Sequence, residues 1–386
     1  MLLMKQTASF ISTYSADVFG VCSALFELGG MTIMHDASGC NSTYSTHDEP
    51  RWYDMESMVY ISGLSEMEAI MGDDEKLVSD IVHDAKELKP NFIAIAGTPI
   101  PAMTGFDFDA VAQVVETRTG IPAFGFATTG MGSYIEGAGP ALARLAERFA
   151  DRDAARTARP SANLLGLTPL DFSVNGEDAS VAAWLRKTGF DRNVPYAMGC
   201  SFADLKRLGA AHVNLVVSAA GLPTARLLEQ MFGTPYVLGL PVAGKYAGLL
   251  AERLIDAAKS GTSVPAAGLI RPEGTPCVAV IGEGIRSVSL AEAITLETGK
   301  PAFAVCAAEF HPDYLRPCDV CACDEDEIIP ALANADTVIA DPLYRPIVSA
   351  DKRFLPLPHE AFSGRIFRRD IPDLAADARP VLNQFI

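Results

Sequence analysis

The chain has 386 residues, 49% of them hydrophobic and 20% charged, with a formal net charge of −17. That length exceeds one ordinary core and that composition excludes a disordered chain, while the acidic balance excludes a nucleic-acid or anionic-lipid surface, which needs a positive stripe. No apolar run reaches the about 18 residues of a transmembrane helix, and the start MLLMKQTASF lacks the features of a secretory peptide. The sequence therefore predicts a cytoplasmic protein whose eight cysteines are reduced thiols or metal ligands, not a disulfide framework.

In chain order, Val18, Val21, Cys22 and Leu25 predict a helix that stops at Gly29-Gly30, followed by a buried strand over 31–34 and a small-residue turn ending at Cys40. A strand is predicted over 92–96, a helix over 107–119 and a strand over 122–126. Later strands are predicted over 163–167, 213–217, 236–240, 278–281, 302–305 and 337–340. The helices between them carry apolar residues at helical spacing, as at Ala243, Ala247, Leu250, Leu254 and Ala258. Such alternation predicts parallel sheets covered by helices on both faces, with ligands gathered at the carboxyl ends of the strands. Polar or Pro/Gly-bearing breaks at 151–163 and 259–276 divide the chain into α/β domains over 1–155, 156–265 and 266–386 around a central cleft.

Cys22 on a helix and Cys40 on the loop after the next strand place two thiols as a polynuclear metal site needs them; the plain alternative is a pair of buried cysteines packed as small hydrophobes. CDVCAC (318–323) sets Cys318, Cys321 and Cys323 at metal-like spacing, with Cys306 or His311 as a fourth ligand. Cys200 and Cys277 read as core or cap-adjacent residues. VAVIGEGIRS (278–287) is a partial dinucleotide fingerprint with Ser287 in place of the third glycine, and reads as a tight strand-to-helix turn. No P-loop motif is present, so any nucleotide hydrolysis belongs to a partner. The loop NSTYSTHDEPRWYD (41–54) offers His47, Arg51 and Trp52 as pocket or dimer-seam residues, against an ordinary exposed loop. Arg365, Arg368 and Arg369 form a small basic group that suits a carboxylate, against solvated surface arginines.

HDASGC (35–40) resembles the His-Gly-Pro-x-Gly-Cys cluster loop of the component 1 family of nitrogenases and nitrogenase-like reductases. Cys22 resembles that family's first cluster cysteine, and AGTPIPAMTGFDFDAV (96–111) the segment of its third. TTGMGSY (128–134) and HVNLVVS (212–218) resemble its Gly-rich loop and a strand of its second domain, and the resemblance extends over nearly the whole chain. It implies three Rossmann-like domains, a dimer of identical or paralogous chains, and electrons from a separate ATP-hydrolysing iron–sulfur reductase.

The departures define the expectation further. Thr98 stands where the third cluster cysteine belongs, so the chain keeps two of three thiolates. A cubane takes four protein ligands, usually thiolates, and Cys22 and Cys40 from each of two chains would supply them. Ser218 stands where the family's cofactor-binding cysteine belongs, while PHEAFSG (358–364) places His359 at the position of the cofactor histidine. This implies a [4Fe-4S] cluster shared across a dimer interface, no iron–molybdenum type cofactor, His359 as a catalytic proton donor, and Thr98 and Ser218 bordering the substrate. The plain alternative for His359 is a loop histidine capping backbone groups. Two functions follow: a reductase catalytic component, or a scaffold on which a metal cluster or tetrapyrrole is assembled. A solute-binding protein is disfavoured by the missing export signal.

Overall fold

The computed structural model describes residues 10, 15–37, 39, 41–44, 49–268, 270 and 272–385. It contains three all-parallel sheets. The first is built from β1 (Met31–Met34), β2 (Met58–Ile61), β3 (Ile93–Ala96) and β4 (Ala123–Phe126) in the order β2-β1-β3-β4. The second holds β5 (Ser161–Leu167), β6 (Asp191–Ala197), β7 (Val213–Val216) and β8 (Tyr236–Leu238) in the order β6-β5-β7-β8. The third holds β9 (Val278–Gly282), β10 (Ala302–Cys306), β11 (Val320–Cys321), β12 (Thr337–Ala340) and β13 (Arg353–Pro356) in the order β11-β10-β9-β12-β13.

Three parallel α/β sheets are what the strand–helix alternation predicts. The sequence reading omits four strands, β2, β6, β11 and β13, and each is the edge of its sheet. A central strand is covered on both sides and needs a continuous apolar run, as in β3 and β9, whereas an edge strand does not. No helix among the described residues is long and apolar enough to cross a membrane.

One cluster of buried side chains runs across both sequence breaks. Ala94 of β3, Leu165 of β5 and Ala304 of β10 belong to one connected cluster of buried side chains. The helix Tyr134–Phe149 is its axis. It packs on the helix Asp17–Leu25 so closely that a methyl group on Gly20 would lie 2.0 Å from the Tyr134 carbonyl oxygen, and one on Gly137 would lie 1.8 Å from that of Asp17. Glycine is required at both positions because backbone meets backbone there.

Gly137→Ala and Gly20→Ala should each lower stability by about 3 kcal/mol, the upper range for forcing a methyl group into a close-packed contact. Gly248, an exposed glycine in the helix Lys245–Ser260 with open space around it, supplies the control. Gly248→Ala should raise stability by roughly 0.5–1 kcal/mol. Urea unfolding of the three variants checks both signs.

Candidate functional site

Five polar residues at or just beyond strand carboxyl ends converge with one tyrosine where the three sheets meet. Ser218 follows β7, Glu283 follows β9, Asp341 follows β12, His359 follows β13, and Asp171 lies on the short helix after β5. Tyr134 begins the helix Tyr134–Phe149. All six are buried. Tyr134 donates its hydroxyl proton to Asp171 Oδ1, and Thr168 Oγ1 donates to Asp171 Oδ2 at 2.8 Å. Ser218 Oγ donates to the Gly166 carbonyl at 2.7 Å, and the hydroxyl lies beside the Asp171 carboxyl, offsetting part of the rise that burial causes there.

Asp341 fixes His359. Its Oδ2 accepts the His359 backbone N–H at 2.8 Å and the Ser363 hydroxyl at 2.6 Å. His359 caps the helix Glu360–Phe367, with Nδ1 accepting the Ala361 N–H at 3.3 Å. An accepting Nδ1 puts the imidazole proton on Nε2. That nitrogen has no hydrogen-bond partner and lies 3.7 Å from Asp171 Oδ1. Burial, with Arg286 nearby, lowers the His359 pKa to about 3. The ring is therefore a neutral N–H donor at pH 7, unlike the near-neutral titration of an open imidazole. The capping role expected as the plain alternative is present as well.

Glu283 is the group that titrates near neutrality. Burial, reinforced by Asp171, raises its carboxyl to about 7. It accepts the Ala219 N–H at 2.8 Å and caps the helix Gly284–Thr298 through the N–H groups of Ile285 and Arg286. The partial dinucleotide fingerprint is thus a tight strand-to-helix turn whose helix end is occupied by its own carboxylate. Beside it, the Arg286 guanidinium pairs with buried Glu177 at 2.6 Å. A cavity of about 10 Å³, room for about one water molecule, is bounded by Glu283, Arg286, Asp341 and His359. A larger open groove of about 580 Å³ lies at the first sheet beside Thr128, Thr129, Glu136 and Arg144. Sequence reading missed Tyr134, Asp171, Glu283 and Asp341 as site residues; the position of Glu283 and Asp341 immediately after apolar strands is the signal that could have found two of them.

The expected cluster residues lie on the first sheet. Cys22 is fully buried on the helix Asp17–Leu25. Burial and the nearby Glu49 carboxylate push its thiol well above the ordinary range. Glu49 accepts from Ser23 Oγ at 2.8 Å and from Tyr44, and pairs with Arg51 at 2.7 Å. Arg51 also pairs with Glu27, so it is a structural cation, and Trp52 packs on Tyr44 and Phe26. Cys40 and His47 lie outside the described residues. Asp36, in the same loop as Cys40, is buried with Oδ2 bonded to Asn41 at 2.7 Å and Oδ1 without a partner. Among the described residues no three histidine, cysteine, aspartate or glutamate side chains are grouped to hold a metal. The Cys22 thiol suits iron chemically, and as the one described cysteine of the expected pair it supplies a single ligand of a cluster's shell.

Thr98 is buried at the end of β3, its hydroxyl donated to the His35 carbonyl at 2.8 Å. Ser218 and His359 meet around Asp171, while Cys22 faces Glu49 and Tyr44. In CDVCAC, Cys321 is paired in register with Cys306, and His311 is an exposed cap of a 3-10 turn. The segment is an edge strand with no grouped metal ligands among the described residues. In the basic group, Arg368 is paired with buried Glu360 at 2.6 Å, and Arg365 and Arg369 are exposed.

Glu283 binds more protons folded than unfolded between its ordinary value of 4.5 and about 7. Its contribution to stability is therefore fully present below about 4.5 and lost as pH rises through about 7, by on the order of 3 kcal/mol. His359, lowered, acts in the opposite sense, with stability lost as pH falls toward about 3. The stability difference between Glu283→Gln and the parent isolates the first effect. It should move in favour of the variant as pH is raised from 4.5 to 7 in stepped urea unfolding, and a flat difference would show that Glu283 titrates normally.

A family model described as nitrogenase component 1 type oxidoreductase matches residues 18–261. One component of the light-independent protochlorophyllide reductase of Chloroflexus aggregans is 32% identical over 167 residues, 41% of this chain and 29% of that protein. The nitrogenase iron-molybdenum cofactor biosynthesis protein NifE of Clostridium pasteurianum is 27% identical over 242 residues, 60% of this chain and 52% of that protein. The matched segments thus span about a third to a half of these relatives. A solved structure titled nitrogenase Cp1 at pH 5 superposes with a TM-score of 0.65 at 15% identity, covering 98% of this chain and 90% of that one, and shows the shared fold. With a family match over more than half its length and that architecture around the junction, the chain belongs to the nitrogenase component 1 type oxidoreductase family.

Proposed function

We propose that this chain is the catalytic component of a nitrogenase-like reductase. It takes low-potential electrons from a separate ATP-hydrolysing iron–sulfur reductase and delivers them to a substrate at the junction of the three sheets. The observation that supports this reading most is the buried set at strand carboxyl ends: Glu283 and Asp171, whose raised carboxyls can hold and hand over protons during a reduction, beside His359, whose neutral ring offers a hydrogen-bond donor. Glu283 keeps its proton up to about pH 7, and His359 offers an N–H from Nε2 while Asp341 holds its backbone and helix in place. Ser218 and the Thr98 loop border the substrate in this reading.

Cys22 and Cys40 of each of two chains would hold the [4Fe-4S] cluster at a twofold interface, with a paralogous chain as the alternative partner. When bound, such a cluster supplies one-electron transfer. The assembly works in the cytoplasm, where thiols stay reduced. The second reading, a scaffold for assembly of a metal cluster or tetrapyrrole, is supported by the likeness to NifE, a protein named for cofactor biosynthesis.

Anaerobic purification with iron, sulfide and EPR analysis separates the readings. Cys22→Ala and Cys40→Ala should each lose the cluster iron and its EPR signal. His359→Ala should keep the iron and slow ATP- and reductase-dependent turnover by roughly 100-fold, assayed on tetrapyrrole, thioether and small unsaturated substrates. Full iron content in both cysteine variants overturns the relay. Release of bound metal to an acceptor with no turnover on any substrate class supports the scaffold.

A further inference from the structure

We propose that Cys306 and Cys321 form a redox-active dithiol, closing to a disulfide by exchange with a small-molecule disulfide. Both residues end adjacent parallel strands, and Cys306 is paired directly with Cys321 in the β10–β11 register. In-register neighbours present their side chains to one face of a sheet, on strands about 4.8 Å apart. That spacing falls inside the Cα separation of about 4.4–6.8 Å that a disulfide spans. The neighbouring Cys321 thiol, with burial, pushes Cys306 up, and Cys306 in turn holds Cys321 below the ordinary thiol value. Cys321 in turn donates to the Phe310 carbonyl at 3.0 Å.

The pair has an inside and an outside member. Cys306 is fully buried, while Cys321 is half-buried on the edge strand and reachable from solvent. Cys321 therefore attacks the small disulfide RSSR as a thiolate, forming a mixed disulfide and releasing one RSH once the thiolate product is protonated. Cys306 then gives up its proton and attacks the Cys321 sulfur, expelling the second RSH. The sum is two protein thiols plus RSSR giving one protein disulfide plus two RSH. Two electrons pass to the small disulfide, and no other oxidant is needed.

The site lies where its oxidation is felt. Closing the bond removes the S–H that the Phe310 carbonyl accepts. Phe310 packs against Gly284, beside Glu283, and neighbouring Glu309 accepts a hydrogen bond from the Ser133 hydroxyl at the start of the helix Tyr134–Phe149. The dithiol thus sits at the base of a strap between the third sheet and the helix Tyr134–Phe149.

The test uses the full chain, reduced, desalted and incubated anaerobically with excess oxidised glutathione. Free thiols are then blocked with N-ethylmaleimide and the peptides mapped by mass spectrometry. The expected result is a Cys306–Cys321 linked peptide pair, no glutathione retained on either residue, and full reversal by dithiothreitol. Cys323→Ser should form the same link, whereas Cys306→Ser should stop at a glutathione adduct on Cys321. Complete alkylation of both cysteines, a stable glutathione adduct on Cys321 of the unmutated chain, or a link from Cys321 to Cys318 or Cys323 overturns the proposal. The readout on the unmutated chain decides the question even where a variant fails to fold.

Discussion

The structure depends on one backbone-to-backbone contact. At Gly20 and Gly137 two helices approach so closely that neither has room for a single Cβ. That contact welds the helix bearing Cys22 to the helix that begins with Ser133 and Tyr134. From the same start, Tyr134 reaches Asp171 of the second sheet and Ser133 reaches Glu309 of the third. Further along the helix, a Cβ on Gly139 would meet Pro223 at 3.0 Å. The position expected to bind a cluster is therefore tied to the buried polar junction through one pair of close-packed helices, by way of Tyr134.

The buried charges fall into two kinds. Glu49–Arg51–Glu27 and Glu177–Arg286 are pairs in which acid and base face each other with hydrogen bonds to spare. They act as internal struts, because removing either partner would strand the other charge away from water. Asp171, Glu283 and His359 are different. Burial raises both carboxyls, Asp171 raises Glu283 further, and His359 Nε2 lacks a partner. A fold tolerates such a group only when the surrounding structure over-determines it, which is the case at working sites.

Thr98 and Ser218, which the sequence resemblance sets against two family cysteines, have something in common. Each hydroxyl is donated to a backbone carbonyl across a strand end, Thr98 to His35 and Ser218 to Gly166. Gly166 takes a positive φ of +81°, and a Cβ there would lie 2.7 Å from the Ser218 hydroxyl oxygen, so glycine is needed for this approach. These hydroxyls tie loops together, a task a thiol performs poorly because S–H is a weak donor. At both positions the hydroxyl braces a loop against a strand end.

What the sequence determined by itself was the set of central strands, from β1 to β12, because a strand buried on both faces must be a continuous apolar run. The family was legible in HDASGC, Cys22 and the motifs that follow, because their order and spacing survive even where single ligands are lost. Of the edge strands, β4 and β8 were legible as apolar runs, whereas β2, β6, β11 and β13 were not. β6 carries Asp191, Arg192 and Pro195, and β11 is the middle of CDVCAC, whose cysteine spacing reads as a ligand motif and not as a strand. Only the tertiary structure decided the polar junction. Tyr134, Asp171, Glu283, Asp341 and His359 are spread over three sheets, and of these only His359 was picked out as a site residue from sequence, by the loop PHEAFSG. Their significance comes from burial together, which shifts a carboxyl to about 7 and an imidazole to about 3, and burial is a property of the packed chain.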